Sequence, residues 1–268
     1  MIYVQIAAYR DPELVPTLRD LFGKASNPNQ LRVCIAYQYD ENMSLSEFAS
    51  DPRVEVIYIP HQETLGCCWA RHKINQRYNG EEYTLQLDSH HRFARNWDST
   101  LIDMLSSLPG KPVITTYAPA YKPGAVSRVK NPWCMEIDPK QPKDIPCFRP
   151  YYSNHKEPKL TYCLSAHFLF ARGQFIVDVP YDPELYFHGE EITMAARAYC
   201  AGYDLYHPHK AIVWHEYTRE GRAKQWDDDQ EWWKKDASSK LKVMKMLSGE
   251  ILIDGERTLA QYKQLAGI

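Results

Sequence analysis

A carboxylate and an imidazole lie two positions apart directly after an apolar segment. Residues 83–87 have the pattern of a buried strand, and Asp88, Ser89 and His90 follow it. Residues i and i+2 of an extended chain point the same way, so Asp88 and His90 can hold one ion between an oxygen and a nitrogen donor. That mixture suits manganese or a similar divalent metal. On this tripeptide alone, a turn capped by Asp88 beside surface histidines is the better interpretation.

His215 is a candidate third ligand. It follows residues 211–214, which have the pattern of a strand. A single histidine is more often structural than a ligand. It gains weight here because a metal held by Asp88 and His90 needs further ligands, and because ligands gather where the ends of parallel strands converge.

Two carboxylates and a basic pair complete the candidates. Glu190 and Glu191 open a helix, where they either stabilise its N-terminus through the helix dipole or orient a sugar or an acceptor hydroxyl. The sequence does not decide between these two interpretations. Arg71 and His72 lie off the apolar face of another helix, where they can meet a diphosphate, although a solvated helix face is the ordinary explanation.

Spacing and charge exclude several other functions. The chain contains no G-x-G-x-x-G, no G-x-x-x-x-G-K-[ST] and no G-x-S-x-G. His215-Glu216 begins like the zinc-binding helix of a metalloprotease, but Arg219 stands where the second histidine is required. The net charge of −2 argues against electrostatic binding to bulk nucleic acid or to an anionic membrane.

The cysteines and the apolar runs indicate a cytoplasmic protein. The seven cysteines are odd in number, scattered and without a C-x-x-C pair, which disfavours a disulfide framework and a structural zinc site alike. No apolar run approaches the roughly 20 residues that span a bilayer, and the N-terminus does not resemble a signal peptide.

Strands and helices alternate over the first 116 residues, which predicts a mainly parallel sheet with helices on both faces. We expect strands at 2–8, 31–39, 54–59, 83–87 and 112–116, and helices at 11–22 (with Asp11 as N-cap), 45–50, 63–79 and 96–107. The length of 268 residues and the 44% hydrophobic content are typical of one domain with a substantial core.

The alternation of strands and helices ends in the Pro-rich stretch 117–160. Loops of this length inside a compact domain usually serve as lids or binding loops, so we interpret the stretch as a long irregular excursion with such a role. After it we expect a strand near 161–171, a helix at 189–200, a strand at 211–214 and, in a helical C-terminal tail over 218–268, helices at 227–247 and 258–266.

Several short motifs follow one another in order along nearly the whole chain: residues 9–14, 70–72, 85–93, 179–183, 187–191, 195–197, 202–206, 214–215 and 257–262. Together they resemble the polypeptide α-N-acetylglucosaminyltransferase-like family. This family includes cytoplasmic enzymes that glycosylate hydroxyproline on an Skp-type ubiquitin-ligase subunit. Their order along the chain is far more specific than any one motif.

The resemblance implies an α/β fold of the GT-A type, a Rossmann-like mixed sheet flanked by helices, in a single domain over 1–268. It also implies a UDP-sugar donor, a divalent metal (usually manganese, otherwise an ion such as Mg²⁺) and retention of anomeric configuration. Asp88-Ser89-His90 is similar to the Asp-x-His variant of the metal-binding Asp-x-Asp motif, and His215 matches a third protein ligand of related retaining transferases.

The remaining site residues are assigned on the same basis. The exit of the first strand should cradle uracil and ribose, and Arg71 should contact the pyrophosphate or the sugar. Glu190 and Glu191 should lie near the reacting sugar or the acceptor. The expected donor-side residues are Ala8, Tyr9, Arg10, Arg71, Asp88 and Ser89.

We therefore predict a metal-dependent retaining glycosyltransferase that moves a sugar, with N-acetylglucosamine as first candidate, from a UDP-sugar to a hydroxyl group. The acceptor is expected to be a protein or a glycan, and a modified nucleic acid stays open. Two other classes are alternatives. A metal-dependent nucleotide-sugar hydrolase would release UDP equally fast without an acceptor. A non-catalytic sugar-binding module would use the 13% aromatic residues as stacking platforms and bind glycan without metal-dependent nucleotide binding.

Overall fold

An eight-stranded mixed sheet is the centre of the computed structural model, which describes residues 1–125, 131–140, 145–218 and 221–268. The described residues of the whole chain form twelve strands: β1 (Ile2–Tyr9), β2 (Leu31–Tyr39), β3 (Val54–Pro60), β4 (Tyr83–Asp88), β5 (His91–Phe93), β6 (Lys111–Thr115), β7 (Trp133–Ile137), β8 (Phe148–Tyr152), β9 (Lys159–Thr161), β10 (Phe168–Arg172), β11 (Tyr203–His207) and β12 (Val213–His215). The described α-helices are α1 (Leu14–Lys24), α2 (Cys67–Asn75), α3 (Trp97–Ser106), α4 (Phe175–Asp178), α5 (Glu190–Cys200), α6 (Gln225–Asp228), α7 (Trp232–Ser248) and α8 (Leu259–Ala266).

The strand order in the main sheet is β3-β2-β1-β4-β10-β6-β11-β9. Strands β3, β2, β1 and β4 run parallel, as do β6 and β11. Strand β10 lies antiparallel between β4 and β6, and β9 pairs antiparallel with β11. Two small antiparallel pairs, β5 with β12 and β7 with β8, lie outside this sheet. The mixed α/β architecture matches the expected fold class.

Alternation along β1 separates two layers of helices. Ile2, Val4, Ile6 and Ala8 pack with apolar residues of α1 and α3 on one face of the sheet. Tyr3 packs with residues of α2 on the other face. Helix α5 packs on β11, on the same face as α2, with α7 and α8 against it. The carboxyl ends of β1 and β4 therefore open between these layers, where ligands usually gather in such folds.

Four sequence predictions differ from the structure. The helix expected at 45–50 is a series of turns, in a segment rich in Ser, Asn and Asp side chains that compete for backbone hydrogen bonds. The helix expected at 63–79 is shorter, because Gly66 takes a φ of 129° before α2 begins. The expected strand 161–171 is divided into β9 and β10 by an irregular loop. The helix expected at 227–247 is divided into α6 and α7. The elements β5, β7, β8, β11 and α4 were not predicted.

The Pro-rich stretch 117–160 is not wholly irregular. It contains the hairpin of β7 and β8, in which Trp133 pairs with Tyr152 and Ile137 pairs with Phe148. Residues 126–130 and 141–144 of this stretch, like Arg219, lie outside the described residues.

The helices of the C-terminal tail supply core residues. Val243 of α7 and Tyr262 of α8 are fully buried in the cluster that surrounds α5. The Tyr262 hydroxyl donates a 2.9 Å hydrogen bond to the carbonyl of Tyr162. Among the described helices, none combines the length and the apolar character that crossing a membrane requires.

At Gly189, the start of α5 lies in close contact with helix α7 of the C-terminal tail. It is the N-cap residue of α5 and has a φ of +87°. A Cβ at this position would lie 2.5 Å from Cγ2 of Val243, far inside normal contact distance. Only glycine fits here, for conformational and for steric reasons.

The first prediction compares two glycines with similar backbone angles. Gly189→Ala should lower the free energy of unfolding by about 2–4 kcal/mol, the sum of left-handed backbone strain and overpacking. Gly80→Ala is the matched control: its φ is +85°, and no described heavy atom lies within 4 Å of the added Cβ. This control should lose only about 1 kcal/mol. Urea denaturation measures both values, and equal losses would contradict the steric argument.

Candidate active site

Three metal-type donors converge at the end of β4. The Oδ2 atom of Asp88 lies 3.2 Å from Nε2 of His215 and 3.7 Å from Nε2 of His90. One ligand atom of each residue lies within 4.8 Å of the others. The pairing of β12 with β5 explains this convergence, because it sets His215 opposite His91, next in the chain to His90. The structure thus brings together Asp88, His90 and His215, as expected from the sequence.

The hydrogen bonds of His90 leave one ring nitrogen available to an ion. Its Nδ1 donates to Oδ2 of Asp11 over 2.6 Å, and the Ser89 hydroxyl donates to the same oxygen over 2.6 Å. Nε2 therefore carries a lone pair. This nitrogen is buried and has no hydrogen-bond partner among the described residues. A carboxylate orienting a metal-binding imidazole in this way is the usual second layer of a metal site, so these residues fit a divalent ion.

Asp11 has a different role from the one its sequence position indicated. Glu13, not Asp11, is the N-cap residue of α1. The Asp11 carboxylate still accepts a 3.0 Å hydrogen bond from the Glu13 N–H at the helix start. It is also buried between His90, Ser89 and Arg222, whose Nη1 donates to it. Burial opposes ionisation, but the hydrogen bonds from His90 and Ser89 outweigh it and hold the pKa of Asp11 well below its usual range. Arg222 also contacts Glu216.

Arg71 lies between two carboxylates and is only 3% exposed. Its Nη2 donates to Oδ1 of Asp88 over 2.7 Å, and its Nη1 lies 3.4 Å from Oε1 of Glu190. Nη1 also donates to the carbonyl of Ala166 and, over 3.0 Å, to the Tyr181 hydroxyl. Burial alone would raise the pKa of Asp88, but its hydrogen bond with His215 and the charge of Arg71 hold that pKa well below its usual range.

The two glutamates at the start of α5 have different partners. Both oxygens of Glu191 accept hydrogen bonds, one from the Ala166 N–H over 2.9 Å and one from the Tyr117 hydroxyl over 2.6 Å. Burial nevertheless raises the pKa of Glu191 to about 7. Burial also raises the pKa of Glu190, and the nearby Arg71 limits that rise. Glu190 therefore interacts with Asp88 through Arg71, whereas Glu191 is hydrogen-bonded to the loop that precedes β10.

These groups line one cavity of about 420 Å³. Eight of the expected site residues contribute to its wall: Tyr9, Arg71, Asp88, Ser89, His90, Glu190, Glu191 and His215. Ala8 does not, because its side chain points into the core on the opposite face of β1, and its neighbour Ala7 lines the cavity instead. His72 is not in the wall either, and its Nδ1 is bonded to the carbonyl of Tyr181.

Arg10 does not line the cavity, but it shares a partner, Asp228, with the cavity residue Tyr9. Its φ of 44° is unusual for a residue with a side chain. Its Nε contacts Asp40 at 2.9 Å and its Nη1 contacts Asp228 at 2.6 Å. The hydroxyl of Tyr9 donates to the same Asp228 oxygen over 2.6 Å. Arg10 therefore holds the segment around α6 against the exit of β1.

Several wall residues were missed in the sequence. They lie in short elements or irregular segments far apart in the chain, where no periodic pattern marks them: Tyr117, Phe148, Ala166, His167, Phe187, Lys224 and Trp226. The interruption between β9 and β10 matters most, because it frees the N–H and carbonyl groups of Ala166 for Glu191 and Arg71. Only the Asp-x-His spacing and the helix start of α5 gave local signals.

Comparison with solved structures identifies the fold. A crystal structure of GalNAc-T7 with UDP, GalNAc and Mn²⁺ superposes with a TM-score of 0.67 at 14% identity, over 100% of this chain and 54% of that one. A crystal structure of S. aureus TarS 1–349 in complex with UDP-GlcNAc gives a TM-score of 0.61 at 14% identity, over 99% of this chain and 70% of that one. The chain thus spans about half the length of GalNAc-T7. Both are glycosyltransferases of the GT-A fold.

Sequence comparison identifies the family. A search of curated proteins gave no significant match. A family model described as "Glycosyltransferase (GlcNAc)" matches residues 1–51 and 41–264, nearly the whole chain. The chain therefore belongs to this glycosyltransferase family and has the GT-A fold.

Proposed function

We propose that this enzyme transfers a sugar, with N-acetylglucosamine as first candidate, from a UDP-sugar to a hydroxyl acceptor with retention of configuration and with a divalent metal, Mn²⁺ or an ion such as Mg²⁺. One observation carries the proposal. Asp88, His90 and His215 converge at the carboxyl end of β4, in the wall of the cavity that Glu190 and Glu191 also line. The family description and the similarity to TarS, whose crystal structure holds UDP-GlcNAc, support the choice of sugar.

The nucleotide end of the donor is assigned to the part of the cavity beside β1. Tyr9 offers an aromatic ring there, and Ala7 leaves room because its side chain is small. Lys224, also in the wall, adds a positive charge for the diphosphate. A volume of about 420 Å³ is within the usual range for small-molecule sites.

Asp88, His90 and His215 would hold the metal. When bound, such an ion neutralises charge that develops on the departing UDP. The chain's own contribution is to keep the donors oriented. Asp11 holds the His90 ring by its Nδ1, and Arg71 fixes one oxygen of Asp88 so that the other faces His90 and His215.

The contacts of the two glutamates favour front-face transfer over a covalent intermediate. Both oxygens of Glu191 already accept hydrogen bonds, and Glu190 lies against the Arg71 guanidinium, which makes each a weak nucleophile. In front-face transfer, the bond between the anomeric carbon and the phosphate oxygen of UDP breaks, and the acceptor oxygen bonds to that carbon on the same side. The proton of the acceptor hydroxyl passes to the departing phosphate oxygen. Glu190 and Glu191 then orient the sugar or the acceptor hydroxyl.

The acceptor is proposed to be a protein or a glycan. Aromatic side chains of Tyr117, Phe187 and Trp226 line the cavity and can stack on sugar or proline rings. The net charge of −2 disfavours a nucleic acid. A cytoplasmic location is proposed from the odd number and scatter of the seven cysteines.

A binding screen followed by a turnover assay tests the proposed function. Thermal shift with a panel of UDP-sugars, with and without MnCl₂, should show stabilisation that needs both nucleotide and metal. UDP release should then rise when a hydroxyl acceptor is added. Release that is independent of acceptor would favour a hydrolase, and glycan binding without metal-dependent nucleotide binding would favour a sugar-binding module.

The second prediction concerns Asp88. Asp88→Asn should abolish manganese-dependent UDP binding, because it removes the anionic ligand while keeping the shape of the side chain. Calorimetry with UDP and MnCl₂ measures the effect. Asp204→Asn is the control, since it removes a surface carboxylate paired with Arg257 at 2.7 Å and should bind like wild type. Unchanged affinity in Asp88→Asn would show that Asp88 is not a ligand.

The third prediction separates the two glutamates. Glu191→Gln should lower turnover by about 100-fold through misplacement of the reacting groups, and should leave affinity for UDP with manganese unchanged. Glu190→Gln should lower both turnover and affinity, because Arg71 couples it to Asp88. Steady-state kinetics beside calorimetry gives both quantities. If both variants keep wild-type turnover, the pair only stabilises the helix start.

The fourth prediction follows from the pKa of Glu191, about 7 against an ordinary 4.5. The folded state prefers the protonated carboxyl of Glu191. The stability that this carboxyl contributes is therefore fully present below about pH 4.5 and is lost as the pH rises through 7. The metal-free Glu191→Gln variant should therefore gain stability relative to wild type between pH 5 and pH 8, by at most roughly 3 kcal/mol.

Denaturation at both pH values measures this difference. Glu47→Gln is the control, because Glu47 is a surface carboxyl whose pKa is lowered by its hydrogen bond with Arg19. Its difference from wild type should stay constant over this range of pH. A constant difference for Glu191→Gln as well would mean that the Glu191 carboxyl ionises normally.

A further inference from the structure

Three buried imidazoles meet beside the Asp88 group. His91, His167 and His215 each place one ring nitrogen within 4.8 Å of the other two. Their exposures are 0%, 7% and 6%. His91 comes from β5, His215 from β12, and His167 from the loop before β10. The ring centroid of His215 lies 4.8 Å from that of His91 and 4.2 Å from that of His167.

Hydrogen bonding fixes the tautomer of His91. Its Nδ1 lies 3.1 Å from the carbonyl oxygen of Asp88, which can only accept a hydrogen bond, so Nδ1 carries the proton. Nε2 of His91 therefore has a lone pair. That nitrogen is buried and has no hydrogen-bond partner in the described part of the chain.

The tautomer of His167 follows from the two hydrogen bonds of the Tyr217 hydroxyl. The Tyr217 hydroxyl donates its only proton to the carbonyl of Ala118 over 2.7 Å. Its oxygen lies 3.3 Å from Nε2 of His167 and must accept there, so Nε2 carries the proton of that ring. Nδ1 of His167 is left with a lone pair, buried and, among the residues described, without a hydrogen-bond partner.

Two unsatisfied acceptors at one buried position call for an explanation, since nearly all buried polar atoms have partners. Imidazoles that donate one N–H to a carbonyl or hydroxyl and turn the other nitrogen inward have the arrangement of metal ligands. Three imidazoles with a fourth position open are a common zinc coordination set.

We propose that His91, His167 and His215 form a second metal site, distinct from the Asp88 and His90 pair, that takes a borderline transition-metal ion such as Zn²⁺. An all-imidazole set suits Zn²⁺, Cu²⁺ or Ni²⁺ better than Mn²⁺ or Mg²⁺, which prefer carboxylate oxygens. His215 belongs to both groups. An ion on the trihistidine group therefore competes with an ion on Asp88, by sharing a ligand and by charge repulsion. Inhibition of transfer by Zn²⁺ is the consequence, and this last step rests on the proposed function.

The first experiment measures Zn²⁺ binding by the full chain without UDP, in competition with a chromophoric chelator. Wild type should bind Zn²⁺, and His167→Gln and His91→Gln should each weaken binding by about 100-fold. His72→Gln is the control, because His72 lies outside both histidine groups with its Nδ1 hydrogen-bonded to the carbonyl of Tyr181, and it should retain wild-type affinity. Loss of binding in His90→Gln with retention in His167→Gln would place Zn²⁺ at Asp88 and overturn the proposal.

The second experiment needs no variant and so decides the matter even if the glutamine variants do not fold. X-ray absorption at the zinc edge of wild type with one equivalent of Zn²⁺ should show three imidazoles. Two imidazoles with a carboxylate, or no bound Zn²⁺, would refute the second site.

A third measurement links the two sites. Zn²⁺ should displace Mn²⁺-supported UDP binding in wild type, and about 100-fold more Zn²⁺ should be needed in His167→Gln. If Zn²⁺ follows the trihistidine group while no Mn²⁺-dependent UDP binding is found, the second site stands and the proposed function fails. If UDP binding needs Mn²⁺ while His167→Gln leaves Zn²⁺ affinity unchanged, the proposed function stands and the second site fails.

Discussion

The buried guanidinium of Arg71 ties together the segments that meet at the candidate active site. From α2 it reaches Asp88 at the end of β4, Glu190 at the start of α5 and the carbonyl of Ala166 before β10. A charge withdrawn from water is costly unless partners surround it. The positions of these three segments are therefore set relative to one side chain, and displacement of any of them would leave a buried charge poorly paired.

A second arginine, partly exposed, repeats this arrangement on the other side of His90. Arg222 bridges Asp11 and Glu216, as Arg71 bridges Asp88 and Glu190. With all four carboxylates ionised, these two arginines and their partners carry two more negative than positive charges. A divalent cation matches this excess.

Local sequence patterns predicted much of the first half of the fold. The strands β1, β2, β3, β4 and β6 were predicted to within one residue at each end, because buried strands carry continuous apolar runs that capping and turn residues delimit. The i, i+2 rule also pointed to Asp88 and His90, whose role as ligands stays a prediction. Sequence alone could not show that Asp11 serves His90, because its position before α1 has an equally good local explanation.

The missed features depend on contacts between distant parts of the chain. Strand β5 has three residues and exists because β12 pairs with it, about 120 positions later. Strand β10 was predicted as part of one longer strand because residues 162–164 before it are as apolar as β10 itself. Nothing local shows that β10 runs antiparallel between β4 and β6. The burial of Arg71 is of the same kind, since its partners come from three separate segments.

The hairpin of β7 and β8 has a consequence for how such enzymes diversify. The donor atoms of Asp88, His90 and His215 come from β4, the turn after it and β12, none of which belongs to the hairpin. The segment that leads into β8 nevertheless reaches the cavity through Pro146, Cys147 and Phe148. Substitutions in the hairpin can therefore reshape one wall of the cavity while Asp88, His90 and His215 keep their positions.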